Sequence, residues 1–284
     1  MELLTGKNVV ITGAGGGLGR AYAIEVARHG AAVVVNDIDV AAATAVADEI
    51  AQAGGRAIAH AGSVADWDAA GALIARAIDE LGRIDGLVNN AGVTAVKHAW
   101  ELDEADIRKV VDVNLLGTLF PGTHALRAMV AQGSGVIVNV VSGALIGILE
   151  HSLYGATKGG VASATYGWAM DCADRGVRVV GLSPLARTNM SLAWANRDAD
   201  HMDEPQPEAC APIVAYLLSD EAAGLSGQVV RLDATGLSVM STPEFPRARP
   251  LEERTVARIA EAFADGGLKA EATPVGLTRM ELTA

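Results

Sequence analysis

The chain has few cysteines, few basic residues and few aromatic residues. Its two cysteines, Cys172 and Cys210, lie far apart without the spacing of metal ligands. We therefore expect free thiols in a reducing compartment, and neither a disulfide framework nor a metal site. Lys and Arg number 22 against 34 Asp and Glu, which gives a net charge of −12. Nucleic acids and anionic membranes are consequently poor partners for this protein.

The sequence also lacks long apolar runs. Residues 1–8 carry no apolar secretion core, and no run reaches the length of a membrane span. We therefore expect a cytoplasmic protein that does not bind membranes. Half of the 284 residues are apolar and 20% are charged, which is enough apolar material for a large buried core.

Short β-branched runs alternate with helical patterns along most of the chain. Strands are predicted at 9–12, 32–37, 56–60, 84–89, 136–141, 177–182 and 228–232. Helices are predicted between them, at 20–29, 41–53, 66–81, 101–132, 153–174 and 208–219. This alternation indicates an α/β fold with one doubly wound parallel sheet and helices on both faces.

The predicted domain organisation is a single catalytic unit with a trailing segment. We assign residues 1–240 to the sheet and its helices, with a substrate lid at about 185–207, where no strong period is found. Residues 241–284 form a C-terminal extension that is not a separate domain, with a further helix predicted at 251–264.

A glycine-rich turn separates the first predicted strand from the first helix. The turn contains Gly13, Gly15, Gly17, Leu18 and Gly19. Glycines let backbone N–H groups approach a pyrophosphate, and the following helix N-terminus adds partial positive charge. Asp37 ends the next strand, roughly 20 residues further on, where a carboxylate can bind the adenosine ribose. The combination predicts a dinucleotide site.

Asp37 also bears on the choice of cofactor. Its carboxylate would repel a ribose 2′-phosphate, and the glycine turn holds no Lys or Arg before Arg20 to compensate. NAD is therefore preferred, with NADP the less favoured alternative. Asp37 could instead cap the next helix, a role that Asp39 could equally fill.

Tyr154 and Lys158 lie four positions apart on one predicted helix, so their side chains share a face. A cation close to a phenol favours the phenolate and lowers its pKa from about 10. Tyr154 would then be a general acid/base for an alcohol or carbonyl. The alternative is a surface tyrosine beside a solvated lysine.

Two further polar residues are candidates. Asn114 lies in an apolar stretch of a predicted helix, where an amide needs hydrogen-bonding partners. A bond to a neighbouring backbone group would satisfy it. Ser142 follows the fifth strand, so its hydroxyl emerges at the same sheet edge as the glycine turn and Asn90. Alternatively, Ser142 is an ordinary capping residue.

With these residues placed, the sequence resembles the classical short-chain dehydrogenase/reductase family over about residues 5–235. The matching motifs are Thr12-Gly13-x-x-x-Gly17-x-Gly19, Asn89-Asn90-Ala91-Gly92, Asn114, Ser142 and Tyr154-x-x-x-Lys158. The resemblance implies a Rossmann-type sheet of about seven strands, with Tyr154 as the catalytic acid/base and Ser142 bound to the substrate oxygen. It also implies that Lys158 binds the nicotinamide ribose and lowers the pKa of Tyr154, and that Asn114 holds a water of a proton relay.

The same resemblance implies a set of cofactor-binding residues and an assembly. The set comprises Gly13, Gly15, Gly17, Leu18, Gly19, Asp37, Ser63, Val64, Asn90, Ala91, Gly92, Tyr154, Lys158, Pro184 and Thr188. Ser63 replaces the family's usual acidic residue, and Thr188 arrives one position early. The spacing from Ser142 to Tyr154 is one residue shorter than usual, so we expect a tightened loop at 143–153. A homo-oligomer, a tetramer or a dimer, is implied by the resemblance alone.

The expected substrate is a hydrophobic secondary alcohol or ketone. The residues expected to face it are mostly apolar, which suits such a molecule better than a sugar. They include Leu145, Leu149, His151, Met190 and Trp194. His151 could bind a polar group or be an ordinary surface residue.

Three alternatives to this function remain open. The first two are an NADP-linked carbonyl reductase and a hydroxyacyl-CoA dehydrogenase, since the sequence is also similar to the family branch that contains hydroxyacyl-CoA dehydrogenase domains. The third, from another class, is a non-catalytic nucleotide-binding scaffold.

Overall fold

A computed structural model describes residues 2–188, 190–191, 204–240 and 255–264 of the chain. The strands are β1 Asn8–Thr12, β2 Ala32–Asp37, β3 Arg56–Ala61, β4 Gly86–Asn89, β5 Gly135–Val140, β6 Val177–Pro184, β7 Val229–Asp233 and β8 Gly236–Val239. The helices are α1 Gly17–Arg28, α2 Val40–Gln52, α3 Trp67–Leu81, α4 Glu104–Val110, α5 Gly117–Gln132, α6 Ser152–Asp171, α7 Pro207–Cys210, α8 Pro212–Leu218 and α9 Val256–Ala264.

The strands form one sheet in the order β3-β2-β1-β4-β5-β6-β7-β8. Every neighbouring pair is parallel except β7 and β8, which are antiparallel. The predicted α/β fold with a doubly wound parallel sheet is confirmed. The strand order reverses between β1 and β4, and a crevice opens at such a switch point beyond the carboxyl ends of the strands.

Side chains from alternate positions of the strands enter two separate cores, because successive residues of a strand face opposite sides. Val33 and Val35 of β2 pack with residues of α1, α2 and α8, whereas Val34 packs with residues of α3 and α5. All three valines are fully buried. The central strands are thus covered on both faces, and a site can form at their ends.

The structure differs from the sequence prediction in three details of secondary structure. Among the described residues the sheet has an eighth strand beyond the seven predicted, because the short hairpin strand β8 follows β7. The helix predicted at 101–132 is interrupted by a π-helical turn, Val111–Leu116, between α4 and α5. The helix predicted at 208–219 is divided into α7 and α8 at Pro212, which lacks an N–H donor.

Part of the predicted lid and most of the C-terminal extension lie outside the described residues. The lid prediction at 185–207 includes the undescribed residues 189 and 192–203, among them Trp194. Within 241–284 the structure describes 255–264, and 256–264 of these form α9. Among the described helices, none combines the length and apolarity needed to cross a bilayer.

Candidate active site

A cleft of about 650 Å³ lies at the carboxyl ends of β1, β4, β5 and β6. All of the predicted cofactor-binding residues except Gly15 line it. A larger hollow, of about 920 Å³, lies at the opposite ends of β5 and β6 and contains none of the predicted site residues. The strand topology therefore brings the sequence motifs together in one place.

The glycine turn forms one end of this cleft. Gly13 has a φ of +61°, and a Cβ there would lie 2.7 Å from Cα of Ala91. A Cβ at Gly19 would lie 2.1 Å from the carbonyl oxygen of Gly13. Gly16 precedes α1 and supplies no side-chain cap, so the first N–H groups of α1 remain available at the cleft. This bare backbone at a helix N-terminus fits the diphosphate of a dinucleotide.

Asp37 supports the glycine turn from the end of β2. Its Oδ2 accepts a hydrogen bond from the Gly15 N–H at 2.9 Å, and its Oδ1 accepts one from the Asp39 N–H at 3.1 Å. Asp39 caps α2 by accepting from the N–H groups of Ala41 and Ala42. Asp37 is therefore not the helix cap, and its carboxylate lines the cleft.

Arg20, the first basic residue after the glycine turn, is paired with carboxylates. Its guanidinium lies 2.6 Å from Oε1 of Glu49 and 3.5 Å from Oε1 of Glu208. Neither Arg20 nor Glu49 lines the cleft. The charged side chain that lines the cleft at the glycine turn is thus Asp37.

Ser142, Tyr154 and Lys158 meet at the other end of the cleft. Ser142 begins the 3₁₀ turn Gly143–Ile146, where its Oγ accepts the Ala144 N–H at 3.2 Å, and its side chain hydrogen-bonds with that of Tyr154. Helix α6 carries both Tyr154 and Lys158, and Nζ of Lys158 lies 5.7 Å from the Tyr154 ring centre. That ammonium donates to the Val140 carbonyl at 2.6 Å.

Burial dominates the electrostatics of this group. Burial raises the pKa of the Tyr154 phenol, and the hydrogen bond from Ser142 acts in the opposite direction without reversing the shift. Burial also lowers the pKa of Lys158 to about 8. The expected lowering of the Tyr154 pKa by Lys158 is therefore wrong in this structure, because desolvation disfavours both charged forms.

Asn114 is fully buried in the π-helical turn and pins the loop that follows β4. Its Oδ1 accepts the Val93 N–H at 2.8 Å, and its Nδ2 donates to the Val93 carbonyl at 2.9 Å and to Oγ1 of Thr157 at 3.2 Å. Both amide hydrogens are used by these bonds. The side chain thus ties the β4 loop to α6, which is the backbone-bonded alternative that the sequence left open.

The predicted substrate residues have different positions. His151 is only 6% exposed and lines the cleft, so its interpretation as a surface residue is wrong. Met190 also lines the cleft. Leu145 packs against Val141 and Val161, and Leu149 is 75% exposed; neither lines the cleft.

The cleft also contains residues that the sequence interpretation missed. Ile38, Lys109 and Val113 line it. Ile38 directly follows Asp37 at the end of β2 and is 78% exposed. An apolar residue just past a strand end was the sequence signal that could have identified it. Lys109, which lies in α4, carries no such signal, and neither does Val113, because the π-helical turn that contains it is not visible in the helical pattern.

Comparison with known proteins places these features in a family. The family described as "short chain dehydrogenase" matches residues 7–198. Cyclohexanol dehydrogenase from Acinetobacter sp. (strain SE19) is 36% identical over 234 residues, covering 80% of this chain and 93% of that protein. Cis-4-hydroxycyclohexanecarboxylate dehydrogenase from Sinomonas cyclohexanicum is 38% identical over 243 residues, covering 82% and 97%.

A solved structure extends the likeness to nearly the whole chain. The crystal structure of a short chain dehydrogenase from Mycobacterium avium superposes with a TM-score of 0.86 at 33% identity. It covers 97% of this chain and 100% of that one.

Proposed function

Because the chain belongs to the short chain dehydrogenase family, whose members use a nicotinamide cofactor, we propose that it is an NAD(H)-dependent oxidoreductase. It interconverts a hydrophobic secondary alcohol and its ketone, with Tyr154 as the general acid/base. One observation carries the proposal. A single cleft has a bare glycine turn at one end and the hydrogen-bonded Ser142 and Tyr154 beside Lys158 at the other.

The residues of this chain divide the work between proton transfer and orientation. In the oxidative direction the ionised Tyr154 oxygen takes the hydroxyl proton of the substrate, and in reduction the phenol returns it. Ser142 holds the same substrate oxygen, and its orientation is fixed by the Ala144 N–H. A nicotinamide held in this cleft would supply the acceptor for the hydride of the carbinol carbon. Lys158, held by Val140, supplies positive charge next to the Tyr154 ring below about pH 8.

The raised pKa of Tyr154 gives the two directions opposite pH dependence. The neutral phenol needed for reduction is present at neutral pH, whereas the phenolate needed for oxidation increases as the pH rises. We therefore expect oxidation to be favoured in alkaline solution.

The preference for NAD rests on Asp37. Its carboxylate stands at the end of β2 on the cleft, where it can accept hydrogen bonds from ribose hydroxyls. A 2′-phosphate would meet this negative charge, and Arg20 is already paired with Glu49 and Glu208.

The lining of the end of the cleft that contains Ser142 and Tyr154, the substrate end, favours a cyclic alcohol as the substrate. Its walls include the apolar residues Val141, Leu185, Ala186 and Met190. Two relatives, at 36% and 38% identity, are named for cyclohexanol and for cis-4-hydroxycyclohexanecarboxylate. We propose a cyclic or similarly apolar secondary alcohol for this chain.

The decisive experiment is a panel of secondary alcohols assayed with NAD and with NADP by the absorbance of the reduced nicotinamide. We expect oxidation of cyclohexanol-type alcohols with NAD. A clear preference for NADP would contradict the role of Asp37, and turnover of a 3-hydroxyacyl-CoA alone would indicate the hydroxyacyl-CoA alternative. Tight NADH binding without turnover of any alcohol would indicate a nucleotide-binding scaffold.

A further inference from the structure

The lining of the cleft includes an exposed lysine. Among the described residues, the lysine, arginine, aspartate and glutamate side chains that line it are Asp37, Lys109 and Lys158. Lys158 is only 3% exposed and donates to the Val140 carbonyl at 2.6 Å, so its ammonium is enclosed by protein. Lys109 is exposed to solvent. Of these side chains, Lys109 is therefore the cation that a ligand meets as it enters from solvent.

Helix α4 directs Lys109 and its neighbour Arg108 to different sides. Successive residues of an α-helix are rotated by about 100° around its axis. Arg108 bonds to Glu104 at 2.7 Å and does not line the cleft. Lys109 lines the cleft together with Val113, four positions further along the chain. The helix thus presents one of two adjacent cations to the cleft and leaves the other outside it.

The ammonium of Lys109 forms no ion pair with any residue that the structure describes. Asp106, the carboxylate that responds to its charge, is bound by Lys97 at 2.5 Å. The hydrogen bond from Lys97 is the main cause of the lowered pKa of Asp106, and the charge of Lys109 is a lesser cause. The charge of Lys109 therefore remains available to an anionic ligand.

The rest of the protein repels such a ligand. The chain carries a net charge of −12, and Asp37 adds a carboxylate to the lining of the cleft. The diphosphate of a dinucleotide is itself negatively charged, so the overall field slows its approach. A cation on the wall of a cleft counteracts this repulsion, because the low dielectric constant of the surrounding protein concentrates its field there.

We propose that Lys109 is the capture residue for the cofactor, which means that its ammonium attracts the diphosphate of NAD(H) into the cleft and raises the rate of association. This inference rests on the proposed function, since it concerns the same dinucleotide. It requires no contact in the final complex, because exposed charges act over about a Debye length, roughly 8–10 Å near physiological salt.

The test measures the association of NADH by stopped-flow fluorescence in the wild-type protein, Lys109→Met and Lys109→Arg. At about 50 mM salt, where the Debye length is about 14 Å, Lys109→Met should lower kon by about 2- to 5-fold and raise Kd by a similar factor. Lys109→Arg keeps the charge and should retain the wild-type rate. At about 1 M salt, where the Debye length is about 3 Å, the difference should disappear. ADP-ribose, which has the diphosphate without the nicotinamide, should lose affinity by the same factor as NADH.

The control is Arg28→Met, which removes the same charge at the far end of α1, about 18 Å along the helix from the glycine turn. Its kon should stay close to that of the wild-type protein, because the distance exceeds the Debye length. Equal losses in Lys109→Met and Arg28→Met would assign the effect to net charge and overturn the capture role.

Two other results would also overturn this role. One is an unchanged kon in Lys109→Met, and the other is a loss that high salt does not remove. A wild-type protein that binds neither NADH nor ADP-ribose would instead overturn the proposed function, and the role of Lys109 with it.

Discussion

The two ends of the cleft are built in different ways. The end formed by the glycine turn and Asp37, which we call the adenosine end after the group proposed to bind there, consists of backbone and strand-end residues. Gly13 and Gly19 pack against neighbouring backbone, and Asp37 is bonded to Gly15. The substrate end consists of side chains on loops, including Thr94 and His151. The first end is specified by turn geometry, so the sequence motif describes it almost completely. The second depends on loop paths, so substrate choice can change without disturbing the cofactor end.

The largest expected effect is at Tyr154. Tyr154→Phe removes the proton donor and should lower kcat by about 10²- to 10⁴-fold, while NADH binding, which depends on the adenosine end, is nearly retained. Tyr166→Phe on the same helix is the matched control, because the Tyr166 hydroxyl is buried without a partner among the described residues. Steady-state turnover and NADH fluorescence titration measure both variants. Near wild-type turnover of Tyr154→Phe would contradict the assignment.

The next effect tests the adenosine end alone. Asp37→Asn removes the charge that accepts hydrogen bonds at the cleft, and the affinity for NAD should fall by about 10- to 100-fold, with the NADP-to-NAD ratio of kcat/KM rising. Asp39→Asn is the control, since asparagine caps a helix as well as aspartate does. An unchanged cofactor preference in Asp37→Asn would remove the argument for NAD.

A smaller effect is expected on the free energy of unfolding when two glycines with different surroundings are replaced by alanine. Gly19→Ala places a Cβ against the Gly13 carbonyl and should lower the free energy of unfolding by about 1–3 kcal/mol or more. Gly167→Ala, at a position of α6 with no atom within 4 Å of the new Cβ, should raise it by about 0.5–1 kcal/mol. Urea unfolding of both variants gives the comparison. Equal effects would show that close packing does not define the adenosine end.

The smallest expected effect concerns the stability of the substrate end. Burial lowers the pKa of Lys158 from 10.5 to about 8, so its charge costs the folded state about 3 kcal/mol at pH 7. Lys158→Met removes this cost and loses the bond to Val140, and should raise the free energy of unfolding by about 1–2 kcal/mol while lowering activity.

The pH dependence of that difference has a defined sign. Between about pH 8 and 10.5 the unfolded chain binds more protons at Lys158 than the folded chain, so the wild-type protein gains stability as the pH rises. The variant lacks this gain. Urea unfolding at pH 7 and pH 9.5 should therefore show the advantage of the variant shrinking, and a constant difference would argue against the buried charge.

The sequence was sufficient to predict the parallel sheet and the residues at its strand ends. Residues that follow parallel strands must meet at one edge, so Gly13, Asn90 and Ser142 were placed together without coordinates. Strand β8 was missed because its residues Gly236–Val239 are all exposed and show no buried alternation. The cluster from Asp233 to Gly236 was the available turn signal. The π-helical turn was missed because one extra residue hardly changes the apolar pattern of a helix.

The pKa shifts and burial of the site residues were harder to predict than which residues form the site. The four-residue spacing correctly places Lys158 near Tyr154, but the sign of the Tyr154 pKa shift depends on burial by distant elements. His151 is likewise buried, and it directly follows Glu150, whose backbone conformation is rare for a residue with a side chain. Both outcomes arise from loop packing, which spacing in the sequence does not specify.

The reversal of strand order has a consequence for how this chain reaches its native state. β1 and β4 are neighbours in the sheet although α1, β2, α2, β3 and α3 lie between them in the chain. Every other neighbouring pair joins consecutive strands. Joining β1 to β4 therefore closes the largest loop in the sheet and carries the greatest entropic penalty. We expect the β1–β4 strand pair to form late during folding.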